Sequence, residues 1–484
     1  MSATAALVVS AALAGCGGTT YFAGRTLPPS GLTNRVVIAI QNPSTLSKGA
    51  LQFVDAYYDT RSGYNGKPGG FSISGFSGAL PITIQNLPEE QLGLVYASGD
   101  GTFSTINYAT EASTGTAAAG LNGFSSSIFG TRNQSYVFAA SQAFHVLTVA
   151  DHTNGGSFPL ALPGVYRVSV NSGGSVALAF AQNSNYVYYP RKLTTAQGLA
   201  YSGGPTTWPR AAVDCEPQTT PIYCLFQAQS PDSVDATGNY YGVPLVFDRP
   251  VKAVFSADGG TAYILNCGPE CGGSKASITP LPVGPMIFLI GQQSGSLPTS
   301  AALSSSTIPI PGGASNALVD SSTLYIVGQQ PMPDGYFGGH LTVVNPLSKT
   351  ASAPIAISDG APGAISRMLL ADDNTLWIGM TQCTNGERAH NPSVYTSGYG
   401  CLSMIDVATP ASPTVTLIEP YIGDATGIAA VEGLHKVYTA EGGQVYIHST
   451  KDGSSIDNQY VTVTGIAYDV AYMDATSDSN NTVY

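Results

Sequence analysis

The feature that most constrains this chain is a short recurring pattern: a strand-like run, a polar turn, then Thr or Ser leading into a second strand with an aromatic near its start. Ala253-Val254-Phe255-Ser256-Ala257-Asp258-Gly259-Gly260-Thr261-Ala262-Tyr263-Ile264-Leu265 has close counterparts at 369–379, through Asp372-Asp373-Asn374, and at 317–327, through Asp320-Ser321-Ser322. Weaker copies run over 168–180, 128–138 and 428–438. The turns supply residues that tolerate positive φ, and β-branched or aromatic residues flank them, so each copy predicts a β-hairpin. Further strand-like runs follow the clearer hairpins, such as Leu341-Thr342-Val343-Val344 and Leu402-Ser403-Met404-Ile405, and a fourth at Thr414-Val415-Thr416-Leu417-Ile418. Four strands recurring at roughly 40 to 60 residues, with no helical periodicity between them, is the pattern of a β-propeller blade.

The expectation is therefore an all-β chain forming a propeller of seven or eight four-stranded blades. Strand-like runs at 35–40, 51–58 and 71–75 lack a preceding partner, and the run at 466–473 offers one. Strands from both termini are thus expected to complete one blade and close the ring. Two β-sandwich domains are the alternative for many short strands and turns. Composition supports an all-β reading: only 10% of the 484 residues are charged, which excludes a coiled coil or a charge-driven disordered chain. With 18 Lys plus Arg against 30 Asp plus Glu, the net charge of -12 offers no basic surface for nucleic acid.

The N-terminus carries an apolar run over 5–13 that ends in Leu13-Ala14-Gly15-Cys16, too short to span a bilayer. This resembles a bacterial lipobox, although Met1-Ser2-Ala3-Thr4 lacks the Lys or Arg of a signal-peptide n-region. The resemblance implies a signal peptide over 1–15, acylation of Cys16, a flexible tether over 16–33, and a cell-envelope address. The absence of Asp at position 17 implies sorting to the outer membrane. Together with the repeats, the chain resembles bacterial lipoprotein propellers with YVTN-type (YVTN/NHL-like) repeats over about 34–484, Tyr460-Val461-Thr462-Val463 being the nearest string to the name-giving tetrapeptide. The other six cysteines form three close pairs, Cys215 with Cys224, Cys267 with Cys271 and Cys383 with Cys401. Local disulfides in an oxidising compartment are expected, because a metal site needs three or four convergent soft ligands.

No Gly-x-Ser-x-Gly elbow, His-Glu-x-x-His pattern or Walker loop occurs, and the sequence identifies no catalytic residue, metal site or cofactor. Among six scattered histidines, His340 and His390 are the better candidates because each is expected in an inter-strand loop. Asp55 and Asp59, with Tyr57 between them, are expected to alternate on one strand face. Residues 194–250 fit the repeat poorly and read as a long loop insertion on one ring face. It carries Trp208, the first Cys pair and Tyr240-Tyr241, candidate binding residues on the ground that long loops often carry function. The resulting expectation is an envelope-anchored, non-catalytic module that binds or scaffolds an envelope protein or glycan. The alternative is a propeller enzyme, lactonase-like or quinone-dependent, whose His and acidic side chains would converge at the central channel.

Overall fold

Eight antiparallel sheets surround one axis, each a blade, so the repeat count resolves to eight. The computed structural model describes residues 24–60, 71–118, 125–193, 212–216, 222–234, 240–284, 297–331, 333, 337–358, 365–381, 400–418 and 423–477. Strands are counted outward from the axis. Blade 1 comprises Ile466–Tyr472, Arg35–Asn42, Lys48–Asp55 and Phe71–Ser72; blade 2 comprises Pro81–Leu87, Leu92–Ala97, Thr102–Asn107 and Ala112–Ala118. Blade 3 follows with Ser127–Gly130, Tyr136–Ser141, Val146–Asp151 and Gly156–Ala161. Blade 4 holds Val165–Val170, Ala177–Ala181 and Val187–Leu193, then Ile222–Gln227 as its fourth strand and Ala212–Glu216 as an added edge. Blade 5 is Pro250–Phe255, Thr261–Asn266, Ser277–Pro282 and Ile308–Pro309. In blade 6, Asn316–Asp320, Thr323–Pro331 and Phe337–Asn345 are bordered by Thr350–Ala351 and Ile355–Ser358. Blade 7 is Ile365–Ala371, Thr375–Met380, Cys401–Asp406 and Thr414–Ile418; blade 8 is Ala425–Val431, Lys436–Glu441, Gln444–Ser449 and Ser455–Val461.

All six hairpins read from the sequence join the first and second strands of a blade, and each turn contains a positive-φ residue: Gln134, Gly174, Gly259, Ser321, Asp373 with Asn374, and Gly433 or His435. Blade 2 has the same hairpin but turns through Pro88–Glu90, with Gln91 at φ 52°, a composition that carries no Gly or Asn signal. One α-helix, Ser300–Ser306, occurs among the described residues, and the Thr299 hydroxyl accepts from the Ala302 N–H to cap it.

Strand alternation builds the core. In Arg35–Asn42, Val36, Ile38 and Ile40 pack against blade 8, whereas Val37 and Ala39 pack against blade 2. Each blade is therefore buried on both faces, which is why its strands read as almost continuous apolar runs rather than as alternation. Eight hydrophobic clusters result, one at each interface between neighbouring blades.

Residues 194–250 divide between two places. Ile222–Gln227 and Ala212–Glu216 extend blade 4 outward, tied by the Cys215–Cys224 disulfide between directly paired residues. Gln229–Val234 and Tyr240–Pro244 form a separate hairpin in the connection to blade 5. A second disulfide joins Cys267 to Cys271, and Cys401 is disulfide-bonded; its expected partner, Cys383, lies outside the described residues, as does Cys16.

Closure of the ring rests on Ile466–Tyr472, which pairs antiparallel with Arg35–Asn42. Beside this seam the Arg35 guanidinium, 1% exposed, bonds both oxygens of Asp474 at 2.6 and 3.0 Å and Glu111 of blade 2 at 2.9 Å. Asn86 adds a bond to the Tyr472 carbonyl, and Arg25 bonds the carbonyls of Pro88 and Ala475. Removing one partner of a buried pair leaves an uncompensated charge. Arg35→Met is therefore expected to lower stability by about 3–5 kcal/mol in chemical denaturation; a loss below about 1 kcal/mol would show that the pairing of Ile466–Tyr472 alone closes the ring.

Candidate functional site

The innermost strands share a local irregularity that aims one residue from each blade at the axis. In blades 2, 4, 5, 7 and 8 the register with the second strand slips by one residue near the start of the first strand, at Pro81/Thr83, Val165/Arg167, Pro250/Lys252, Ile365/Arg367 and Ala425/Gly427. Blade 1 slips at Tyr468, between Ala467 and Asp469. In blades 3 and 6, Ser126 and Ser315 donate to the carbonyls of Ala140 and Val327, with which the next residues, Ser127 and Asn316, are paired. Such bulges re-aim side chains. The residues after the bulge, from blade 1 to blade 8, are Asp469, Thr83, Ser127, Arg167, Lys252, Asn316, Arg367 and Gly427.

Contacts between non-neighbouring blades place this tier across the lumen. Arg367 Nη2 of blade 7 donates to Asp469 Oδ2 of blade 1 at 3.1 Å, past blade 8. That reach depends on Gly427, where an added Cβ would lie 2.6 Å from Asp469 Oδ1 and 2.7 Å from its Cα. Arg167 of blade 4 donates to the Ser315 carbonyl of blade 6 at 3.2 Å, past blade 5. Between them, Lys252 Nζ donates to Asn316 Oδ1 at 2.7 Å. The tier thus gathers three cations on the arc from blade 4 to blade 7, facing Thr83 and Ser127 on the other side.

Two carboxyl groups bound this charge. Asp469 also accepts from the Ile84 N–H at 2.8 Å, and burial raises its pKa against the pull of Arg367. Glu270, in the 3-10 turn between the second and third strands of blade 5, accepts from the Gln329 N–H at 3.1 Å; burial pushes it up to about 7, and Arg167 opposes the rise. Lys252 moves the other way, from 10.5 to about 7, because burial and then Arg167 and Arg367 disfavour its ammonium. Its side chain nevertheless keeps part of its surface accessible.

The expected site residues are dispersed. His340 lies inside the third strand of blade 6, opposite Gly328, and not in a loop. Gly338 and Gly339 extend that strand, and a Cβ on Gly339 would approach Ser358 Oγ to 2.3 Å, so this glycine serves packing. His340 Nδ1 lies 2.9 Å from the Gly338 carbonyl, and burial lowers its pKa. Tyr240 and Tyr241 start the second strand of the hairpin between blades 4 and 5; Trp208 and His390 lie outside the described residues.

Asp55 and Asp59 do not share a strand face. Asp55 ends its strand by accepting from the Tyr57 N–H, and Asp59, at φ 54°, bonds Lys436 and Tyr438 of blade 8. Asp151 likewise ties blade 3 to Lys192 and Tyr223 of blade 4. The five described histidines occupy turns or third strands, none an innermost strand, and no group of three His, Cys, Asp or Glu suited to a metal occurs among the described residues. Sequence reading missed the three cations because the hairpin pattern becomes recognisable only at 168, 253 and 369, just after each of them. Strand pairing shows their equivalence, with Arg167, Lys252 and Arg367 opposite Phe180, Leu265 and Gly379, the last residues of the three copies.

No family model and no curated protein matches the chain. Solved structures align with the chain at low identity. Hydrazine synthase from Kuenenia stuttgartiensis is 14% identical over 74% of this chain and 94% of its own, with a TM-score of 0.43. The dihydro-heme d1 dehydrogenase NirN is 10% identical over 92% and 75%, with a TM-score of 0.46. The periplasmic gluconolactonase PpgL from Pseudomonas aeruginosa is 12% identical over 91% and 98%, with a TM-score of 0.40.

The tier has a titration signature. Between its folded value of about 7 and its ordinary 10.5, Lys252 is neutral in the folded protein and protonated in the unfolded chain, so this group makes stability rise with pH across that window. Arg167→Gln removes one repelling cation and is expected to raise the Lys252 value measured by the NMR shift of its labelled Cε; an unchanged titration would place Arg167 too far away to matter.

Proposed function

We propose that this chain is an envelope-anchored, non-catalytic propeller that binds a protein partner with the ring face at which its innermost strands begin. Antiparallel alternation sends the connections between second and third strands, and those between blades, to that face. The observation carrying the reading is that exposed apolar side chains from separate connections and a strand start lie on that face: Leu46, Phe144, Val246 and Ile466. The hairpin with Tyr240 and Tyr241 leaves from the same face, because it belongs to the connection from blade 4 to blade 5. Anchoring through Cys16, outer-membrane sorting and kinship with the YVTN-type lipoprotein propellers are supported by Leu13-Ala14-Gly15-Cys16 and by the turn-and-strand repeats.

Lys252 and Glu270, both brought toward neutrality, are the groups on which the alternative reading as a channel enzyme rests.

A photo-crosslinking side chain at Lys275, between the second and third strands of blade 5, is expected to capture a discrete protein adduct in cells; the same group at Leu347, on the opposite face, is not. Adducts from Leu347 alone would reverse the assigned face, and a glycan-only adduct from Lys275 would replace protein by glycan. Labelled palmitate is expected to enter the wild-type chain and not Cys16→Ala; equal labelling would remove the anchor.

A further inference from the structure

We propose that the lumen at the tier of post-bulge residues is a binding site for a small dianionic oxyanion, of the sulfate, phosphate or dicarboxylate class, held by Arg167, Lys252 and Arg367. A chain of net charge -12 places three of its 18 cations on one level of its axis. They come from three different blades, so no single hairpin dictates their proximity. Lys252 and Arg167 are only partly used by the protein. Lys252 spends one of three donors on Asn316, and Arg167 bonds the Ser315 carbonyl with one terminal nitrogen while its guanidinium lies 5.5 Å from the Tyr166 ring centroid.

Among the described residues, the charges facing one another here are three cations and two carboxyl groups. Asp469 is engaged by Arg367 and the Ile84 N–H, and Glu270, raised to about 7, is only partly ionised at neutral pH. Positive charge therefore remains in excess, within low-dielectric walls that focus it along the channel. A planar guanidinium matches the oxygens of a carboxylate, sulfate or phosphate with paired donors, and an ammonium adds a third point of contact. Thr83, Ser127 and Gly427 are the small residues on the remaining arc.

The site is separate from the rim that would dock a protein, so the two readings fail independently. It is tested by calorimetric titration of the purified full chain with sodium sulfate at fixed ionic strength. Sulfate is the probe because its charge is constant from pH 6 to pH 9. Saturable binding is expected at pH 6, weakening at least about tenfold by pH 9 as Lys252 loses its proton. Lys252→Gln is expected to bind weakly at both values, and Lys252→Arg, which cannot deprotonate, to retain binding at pH 9. Near-UV circular dichroism identifies any variant that has lost its fold, and the pH series on the wild type decides without a variant. Non-saturable heat at pH 6, a pH-independent affinity, or unchanged binding by folded Lys252→Gln would each overturn the proposal.

Discussion

Everything in this fold depends on closing the ring, because a blade is buried on both faces only while it has a neighbour on each side. The Ile466–Tyr472 strand enters from the C-terminal end of the chain and pairs with Arg35–Asn42 near the other end. Arg35 then joins Asp474, which follows that strand, to Glu111 of the next blade. Without that seam, the apolar clusters on either side of blade 1 would face water. The closure spans over four hundred residues of sequence, so it is a contact of high loop-closure cost that local propensity cannot supply.

Inside the ring, neighbouring innermost strands are linked through side chains. The Gln85 amide donates to the Gly130 carbonyl and accepts from its N–H, Ser127 Oγ accepts from the Val168 N–H, Ser169 Oγ from the Ala253 N–H, and Asp469 from the Ile84 N–H. Polar residues at these inner positions are thus structural lacing. The tier that includes Arg167, Lys252 and Arg367 differs because it brings like charges together, which costs stability unless something compensates. Burial first, and then Arg167 and Arg367, lower the proton affinity of Lys252.

Much of the architecture is legible in the sequence, for a physical reason. A first-to-second-strand hairpin needs positive φ within its turn, and Gly, Asp and Asn mark such turns at Gly259, Asp373 and Gly174. The turn at Gln91 escaped because Gln gives no such signal. The unpartnered N-terminal strands and the orphan run near the other end pointed to closure from both termini. The candidate site was far less legible. Its three cations lie 85 and 115 positions apart in succession and meet only through the ring, and each reads singly as an ordinary strand cation. The loop expected at His340 is a strand because Gly338-Gly339, which resembles a loop, forms a closely packed strand. Asp59 misled because an αL turn sends its carboxylate to blade 8.

Closure positions the bulged first strands so that charge from blades 4, 5 and 7 converges on the axis. The most direct test is anomalous diffraction from crystals soaked in selenate, an isostere of sulfate visible by its selenium. The account predicts a selenium peak in the lumen within hydrogen-bonding reach of Arg167, Lys252 and Arg367. Selenate sites confined to the outer surface, with the lumen free of selenium at the same concentration, would contradict it.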